Sequence, residues 1–185
     1  MSVRANAQRQ ETTVDLVSLR WWHLRDVMRL EHELFGNEQW SEEAFWSELA
    51  YCRPTLLDGP ARAYWAAVSR PGPGPGDEAL LGYAGVATTA DEAYVQTIGV
   101  ATKAQRQGIG RRLLQQLLED ARAQDARTCW LEVRADNLGA QAMYEGFGFR
   151  SRGRRRGYYQ PSGTDAVVMS VGLDRAGSGQ EGGRT

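Results

Sequence analysis

The chain has 185 residues, of which 42% are hydrophobic and 24% charged, values typical of one folded domain and not of a disordered or fibrous protein. Its 22 basic and 23 acidic residues leave a net charge of −1, which argues against a general nucleic-acid binder. The charge is unevenly distributed: residues 1–95 hold 14 acids and 8 bases, and residues 96–185 hold 9 acids and 14 bases. The two halves are therefore suited to partners of opposite charge.

Several other classes are excluded by what the sequence lacks. No apolar run approaches the roughly 20 residues that cross a bilayer, and the polar start has no signal-peptide centre, which predicts a cytoplasmic protein without membrane contact. Cys52 and Cys129 have no CxxC spacing and His23 and His32 are nine positions apart, so we expect no metal site and no disulfide framework. Lys103 precedes an alanine, so the GxxxxGK[ST] phosphate loop is absent.

The first half of the chain predicts one strand, two helices and two strands. A flexible tail over residues 1–12 precedes a single domain over 13–174, and residues 175–185 form a second tail. A β-like run at 13–20 leads into a helical pattern at 22–35, and Ser41 caps a second helix. Two β-like runs follow, at 62–69 and 80–89, and an exposed Pro- and Gly-rich loop at 70–79 separates them.

The second half of the chain continues with alternating strands and helices. Residues 92–101 form a β-like run, and an apolar stripe beginning at Ile109 predicts a helix through residue 123. A strand at 128–135, a short helix at 140–147 and closing strands at 147–152 and 165–173 complete the order βααβββαβαββ. This order predicts an α+β fold, a mixed α/β sandwich, and not a regular doubly wound sheet.

The segment Gln105–Arg111, between a β run and the longest helix, has the features of a pyrophosphate-binding loop. Gly108 and Gly110 allow close approach of a ligand to the backbone, and the helix start after them offers unpaired N–H groups. A plain strand-to-helix turn is the alternative, because Leu113 stands where GxGxxG has its third glycine. Three arginines flank the loop and are placed to contact phosphate: Arg106, Arg111 and Arg112.

A second chemical candidate is Glu132, in an otherwise apolar strand. A carboxylate there is costly unless it is paired or serves as a general base, and a solvent-facing strand glutamate is the alternative. Tyr144 follows on the short helix, where core packing is the alternative role. Because a phenol has a pKa of about 10 and a thiol about 8.5, a tyrosine beside a thioester would be a competent proton donor.

Together, in this order and spacing, the two segments resemble the GNAT acetyltransferase family. Its cofactor motif [RQ]xxGxG/A is matched by Gln105, Gly108 and Gly110. Its second signature, NxxAxxxYxxxGF, is matched by a set of five residues: Asn137, Ala140, Tyr144, Gly148 and Phe149. The resemblance covers residues 14–173 and implies the GNAT fold, a central mixed, mostly antiparallel sheet flanked by helices.

Within that family the sequence is most similar to the ribosomal-protein-alanine N-acetyltransferases. The similarity rests on QTIGV, RQGIGR, WLEVRADN, MYEGFGF and a Tyr-Tyr pair after the last helix. It implies acetyl-CoA as co-substrate, no metal, Glu132 as proton acceptor for the substrate amine and Tyr144 as proton donor to the departing thiolate. It also implies acetyl-CoA-binding residues: Ile98, Gly99, Val100, Arg106, Gln107, Gly108, Ile109, Gly110, Arg111 and Asn137. The substrate-binding candidates are Trp40, Tyr158 and Tyr159.

The charge pattern favours a cationic peptide acceptor. Residues 26–48 contain seven acidic residues against one arginine, Arg29, and in the resembled fold their two helices flank the acceptor groove. Solvated helix faces are the alternative. Gly99 departs from the alanine common in the family, and Gln39 from the usual proline. We interpret the arginine run Arg150–Arg156 as a solvated hairpin near the acceptor groove, although RNA or ribosome contact is the other interpretation.

The resulting functional prediction is acetyl transfer from acetyl-CoA to the N-terminal alanine of a small-subunit ribosomal protein, by direct attack in a ternary complex. The expected partner is therefore a protein or peptide N-terminus, with no direct nucleic-acid contact, and a monomer is favoured. The alternatives are a broader peptide or lysine acetyltransferase and a CoA-binding module with little turnover.

Overall fold

The computed structural model describes residues 13–52, 61–69 and 78–173. Within these ranges the strands are β1 (Val14–Ser18), β2 (Ala61–Ser69), β3 (Ala79–Thr89), β4 (Glu92–Val100), β5 (Thr128–Arg134), β6 (Arg150–Tyr159) and β7 (Thr164–Gly172). The α-helices are α1 (Leu24–Phe35), α2 (Glu42–Ala50), α3 (Ile109–Ala123) and α4 (Leu138–Glu145). This order confirms the predicted βααβββαβαββ arrangement.

The strands form one sheet in the order β1-β2-β3-β4-β5-β7-β6, in which only β4 and β5 pair in parallel among the described strands. That parallel pairing is short, because it ends at the partners Tyr94 and Trp130. Beyond this point the two strands diverge. A bulge at Gln96, where Val86 pairs with Val95 but Gly85 pairs with Thr97, bends β4 close to the divergence.

Helices cover both faces of the sheet and create the hydrophobic core. Neighbouring residues of β3 show the two faces: Gly82 lies against Leu113 of α3, whereas Tyr83 contacts Glu31 of α1. The apolar stripe predicted for α3 is the buried face of that helix: Ile109, Leu113, Leu114, Leu117, Leu118 and Ala121. The fold is thus the mixed α/β sandwich predicted from the sequence.

Two helical segments differ from the prediction at their starts. The helical pattern at 22–35 begins with a 3₁₀ turn, Trp21–His23, before α1. Helix α4 starts at Leu138 instead of residue 140, because the Asn137 side chain accepts the Ala140 N–H at 3.1 Å and caps it. No helix of the described residues is long and apolar enough to cross a membrane.

The predicted end of the strand at residue 152 is wrong, because β6 continues to Tyr159 through the arginine run. The run is an edge strand that pairs with β7 and exposes its side chains, so no apolar alternation marks it in the sequence. Its predicted solvent exposure is confirmed. Most of the predicted 70–79 loop and both predicted tails lie outside the described residues.

Candidate active site

A cleft of about 710 Å³ opens where β4 and β5 separate. Its two sides are built differently. We call the side formed by Ile98, Val100 and the segment Gln105–Arg111, which ends in the first turn of α3, the donor wall. We call the side formed by Glu31, Glu38, Trp40, Arg134 and Tyr159 the acceptor wall. Glu132 and Tyr144 line the same cleft.

The donor wall has the features of an anion cradle. Gly108 precedes α3 with φ of +83°, and no side chain caps the first N–H groups of that helix. Arg106 also adopts a positive φ, +62°, which a residue with a side chain rarely does outside functional loops. The first turn of α3 contains no acid but carries Arg111, although negative charge is normally favoured there. An anionic ligand would resolve this conflict.

Backbone donors extend the donor wall along β4. The Ala101 N–H donates to the Leu81 carbonyl at 2.8 Å, so the alternation of an antiparallel ladder turns the Val100 and Ile98 N–H groups away from β3. Because pairing with β5 has ended at Tyr94, these donors face the cleft. The Val100 carbonyl on this edge is occupied by the Gln105 side-chain amide at 3.1 Å.

Glu132 lies on the half-exposed face of β5, where Trp130 and Arg134 also point, whereas the alternate residues of the strand are buried. Its carboxylate forms an ion pair with Arg155 of β6, Nη2 to Oε1, at 3.3 Å. Of the alternatives that the sequence left open, the structure therefore gives a paired carboxylate at the edge of a cleft.

Tyr144 is 4% exposed and packs its ring on Phe149, with centroids 5.8 Å apart. Burial is the largest cause that raises the pKa of its phenol above the ordinary value of 10, with smaller contributions from Tyr159 and Cys129. The phenol thus stays protonated at neutral pH. A protonated hydroxyl lining the cleft is a group that can donate a proton there.

A buried carboxylate anchors the acceptor wall. Glu31 is 1% exposed. Its carboxylate accepts hydrogen bonds from the Tyr83 hydroxyl and from the Trp40 N–H, the latter at 2.9 Å. Burial is the largest cause that raises the pKa of Glu31, against both hydrogen bonds. The Tyr83 ring packs directly against Gly99: a Cβ added at Gly99 would lie only 2.8 Å from the ring. The glycine that departs from the family's usual alanine therefore makes room for this pair.

Glu38 connects the turn after α1 to the opposite end of the sheet. Its carboxylate accepts hydrogen bonds from the Arg134 guanidinium and from Ser162 in the turn between β6 and β7. The Arg134 guanidinium also bonds Asp136 at 2.8 Å and lies 5.5 Å from the Tyr159 ring centroid. These contacts hold together segments 124 positions apart in sequence.

Most of the predicted site residues line the cleft: Trp40, Ile98, Val100, Arg106, Gly108, Gly110, Arg111, Glu132, Asn137, Tyr144 and Tyr159. Four do not: Gly99 and Ile109 are buried in the core, the Gln107 side chain bonds the Lys103 carbonyl, and Tyr158 is 44% exposed. Arg112 also points away, since its guanidinium donates to the Val14 carbonyl at 2.8 Å. For Gln107 and Ile109 only backbone groups remain available to a ligand.

Sequence reasoning included Glu31 and Glu38 only among the seven acids expected to flank the acceptor groove, and it missed Arg134 as a residue of the cleft. Glu31 did carry a signal, because it sits among the apolar positions of the α1 stripe next to Leu30. Glu38 was one acid of a charged cluster, and Arg134 carried no signal, so only the fold shows that these two residues meet.

The two cysteines are free thiols, as predicted: Cys129 is buried and Cys52 half-buried. Burial is the main cause that raises the pKa of Cys52 to about 11 and that of Cys129 to about 12. Both thiols are therefore protonated at neutral pH, which makes them poor nucleophiles. Among the described residues no group of three or more His, Cys, Asp or Glu side chains is arranged to hold a metal ion.

A parallel pair that separates beside a helix start with uncapped N–H groups is a geometry suited to a phosphate-bearing ligand. The model of the Acetyltransferase (GNAT) family matches residues 21–149. The N-alpha-acetyltransferase RimI of Mycobacterium tuberculosis is 41% identical over 145 residues, which are 76% of this chain and 80% of that protein. The chain belongs to the GNAT acetyltransferase family.

Solved structures give the same result for the fold. The crystal structure of the ribosomal-protein-S18-alanine N-acetyltransferase from Escherichia coli superposes with a TM-score of 0.67 at 29% identity, covering 91% of this chain and 99% of that chain. Arabidopsis thaliana NAA60 in complex with acetyl-CoA superposes with a TM-score of 0.72 at 20% identity, covering 87% of this chain and 99% of that chain. The latter shows similarity of fold.

Proposed function

We propose that this acetyltransferase moves the acetyl group of acetyl-CoA to the N-terminal α-amine of a protein, the best candidate being the N-terminal alanine of a small-subunit ribosomal protein. The observation that carries the proposal is that one cleft joins the anion cradle of the donor wall to Glu132 and Tyr144. The names of the relatives from M. tuberculosis and E. coli agree with it. A ribosomal-protein substrate would place the reaction in the cytoplasm.

The donor wall fits the phosphates of acetyl-CoA. The uncapped N–H groups at the start of α3 would bind the pyrophosphate, with Arg106 and Arg111 on either side. Acetyl-CoA supplies the acetyl group as a thioester. The Ile98 and Val100 N–H groups would bond to the acyl part of the donor and polarise the thioester carbonyl.

Glu132 and Tyr144 carry the proton transfers. Where the α-amine arrives as the ammonium, Glu132 accepts one proton from it, directly or through water, and the neutral nitrogen then attacks the acetyl carbon. As the N–C bond forms and the C–S bond breaks, Tyr144 donates its proton to the leaving sulfur. The second proton of the amine is released when the amide forms, and it restores the phenol. The protonated thiols of Cys52 and Cys129 support direct transfer without an acyl-enzyme.

The acceptor wall favours a chain terminus. Glu38 and Asp136 share the single guanidinium of Arg134, which leaves a net negative charge at the end of the cleft where the amine would enter. The Glu38 contacts with Arg134 and Ser162 join the two sides of that end. Such a link leaves room for a terminus more readily than for a continuous peptide chain.

Mass spectrometry of acetyl transfer to two matched peptides tests this function. One peptide has a free N-terminal alanine followed by basic residues, and the other has a blocked terminus and a single internal lysine. We expect modification of the first peptide, and none when Glu132→Gln replaces the wild-type enzyme. Modification of only the lysine peptide would overturn the N-terminal assignment, and no transfer to either would contradict the proposed acceptor class.

A further inference from the structure

Arg155 occupies a position next to the proposed base that the proposed reaction does not use. It lies on the edge strand β6 opposite Ala166, two strands away from Glu132. Its guanidinium is 3.3 Å from the Glu132 carboxylate and 5.4 Å from the Tyr158 ring centroid. The ring and the strand pairing together hold a positive charge at the carboxylate.

Two other arginines close to this point pair with different carboxylates. Arg134, two residues after Glu132, is bonded to both Glu38 and Asp136. Arg154 pairs with Asp165 at 3.6 Å, and its register partner Val167 points to the opposite face of the sheet from Val168, the partner of Glu132. Among the described residues, Arg155 is the cation that forms an ion pair with Glu132.

This pairing affects charged and neutral amines differently. A carboxylate alone would attract any ammonium, whereas a carboxylate already paired with a guanidinium carries little net charge for a second cation. The attack of a neutral amine does not depend on that electrostatic attraction, because such an amine needs Glu132 only as a proton acceptor. A protein α-amine, with a pKa of about 7.7–8.0, is partly neutral at physiological pH, whereas a lysine amine, with a pKa of about 10.4, is almost wholly charged.

We propose that Arg155 is a specificity-determining residue that makes the site select α-amines against lysine side chains. The inference rests on the proposed function, since it assumes that Glu132 receives the proton of the amine. It assigns the selection to charge, in addition to the shape of the acceptor wall. Tyr158, which does not line the cleft, then acts as the ring that orients the guanidinium.

The test measures kcat and KM of the wild type and three variants on the two matched peptides described above. Arg155→Gln removes the charge, Arg155→Lys keeps it, and Arg154→Gln is the matched control. The control changes the same charge on the same strand at a similar side-chain exposure, 59% against 57%, but away from Glu132. The affinity of each variant for acetyl-CoA reports whether the fold is intact.

For Arg155→Gln we expect kcat/KM on the lysine peptide to rise at least fivefold over the wild type, through a lower KM. Where the wild-type activity on this peptide is below the detection limit of the assay, the rise is measured against that limit. The α-amine peptide should change less than threefold, and Arg155→Lys and Arg154→Gln should keep the wild-type selectivity. No gain on the lysine peptide for Arg155→Gln overturns the proposal, and so does an equal gain for Arg154→Gln. A wild type that acetylates neither peptide overturns the proposed function itself, which distinguishes the two failures.

Discussion

The donor wall comes from one end of β4 and the segment that follows it, whereas the acceptor wall is assembled from α1, the segment after it, and the ends of β5 and β6. The first presents backbone N–H groups whose directions follow from local dihedral angles, such as φ of +83° at Gly108. The second is held by side-chain contacts such as Glu38 with Ser162, which are 124 positions apart.

This contrast teaches where recognition of each substrate is encoded. A ligand that every family member shares can be bound by a short, fixed backbone motif. An acceptor that differs between family members is met by side chains from several elements, where single substitutions can change the contacts without altering the fold. Changes in the two walls should accordingly separate donor affinity from acceptor kinetics.

The largest effect is expected where the walls meet, at Glu132. Glu132→Gln keeps the shape of the side chain but removes the proton acceptor, so kcat should fall by about 10²–10³-fold while acetyl-CoA binds within twofold of the wild type. Steady-state kinetics with the N-terminal peptide and calorimetric titration with acetyl-CoA measure the two quantities. An unchanged kcat would remove Glu132 from the mechanism.

Tyr144→Phe should have the next largest effect. It removes the buried hydroxyl but preserves the ring packing on Phe149, so kcat should fall by roughly 10–10²-fold with acetyl-CoA affinity and stability little altered. Kinetics and thermal unfolding of the same preparation test this. A loss of stability in proportion to the loss of rate would point to a packing role instead.

A side chain at Gly110 should damage the donor wall alone. Its Cβ would lie 3.4 Å from the Met143 sulfur, so the further atoms of valine would crowd the cleft that Gly110 lines. Gly110→Val should therefore weaken acetyl-CoA binding about tenfold or more and leave the KM of the peptide within about threefold. Gly153→Ala, where a Cβ meets nothing within 4 Å, is the control. Equal losses for both ligands would contradict separate walls.

Glu38→Gln should produce the converse result. Losing the charge weakens the bonds to Arg134 and Ser162 that fix the acceptor wall, so the KM of the peptide should rise about three- to tenfold. Acetyl-CoA affinity, measured by the same titration, should stay within twofold. Weaker acetyl-CoA binding in this variant would show that the walls are coupled.

The smallest effect is on the pH dependence of stability through Glu31. Because burial raises the pKa of Glu31 in the folded state above its unfolded value, the folded protein binds the proton more tightly, and this group's contribution to stability falls as pH rises from about 4.5 through the folded pKa. Glu31→Gln should remove that part of the slope. Urea unfolding at several pH values between about 4 and 8 measures it, and an unaltered slope would contradict the raised pKa.

The sequence predicted the donor wall more completely than the acceptor wall. Gly108, Gly110 and the arginines beside them follow one another in the chain, so their spacing predicted an anion-binding loop or a plain strand-to-helix turn, and the family resemblance favoured the loop. Glu132 was singled out as a carboxylate in an apolar strand and Tyr144 through the second signature, and the structure brings both to the same cleft. Gly99 and Ile109, which belong to the same stretch, were expected at the ligand but lie in the core, because neighbouring positions of a strand or helix face different ways.

The sequence by itself determined the order of elements, the stripe of α3, the Ser41 cap and the family, because these depend on neighbours within about one or two helical turns. Only the tertiary structure decided that β4 and β5 part after Tyr94, that the arginine run continues β6, and that Glu31, Glu38 and Arg155 meet their partners. Those features depend on contacts between segments that are distant in sequence, and the local periodicity of one segment does not predict which distant segment it will contact.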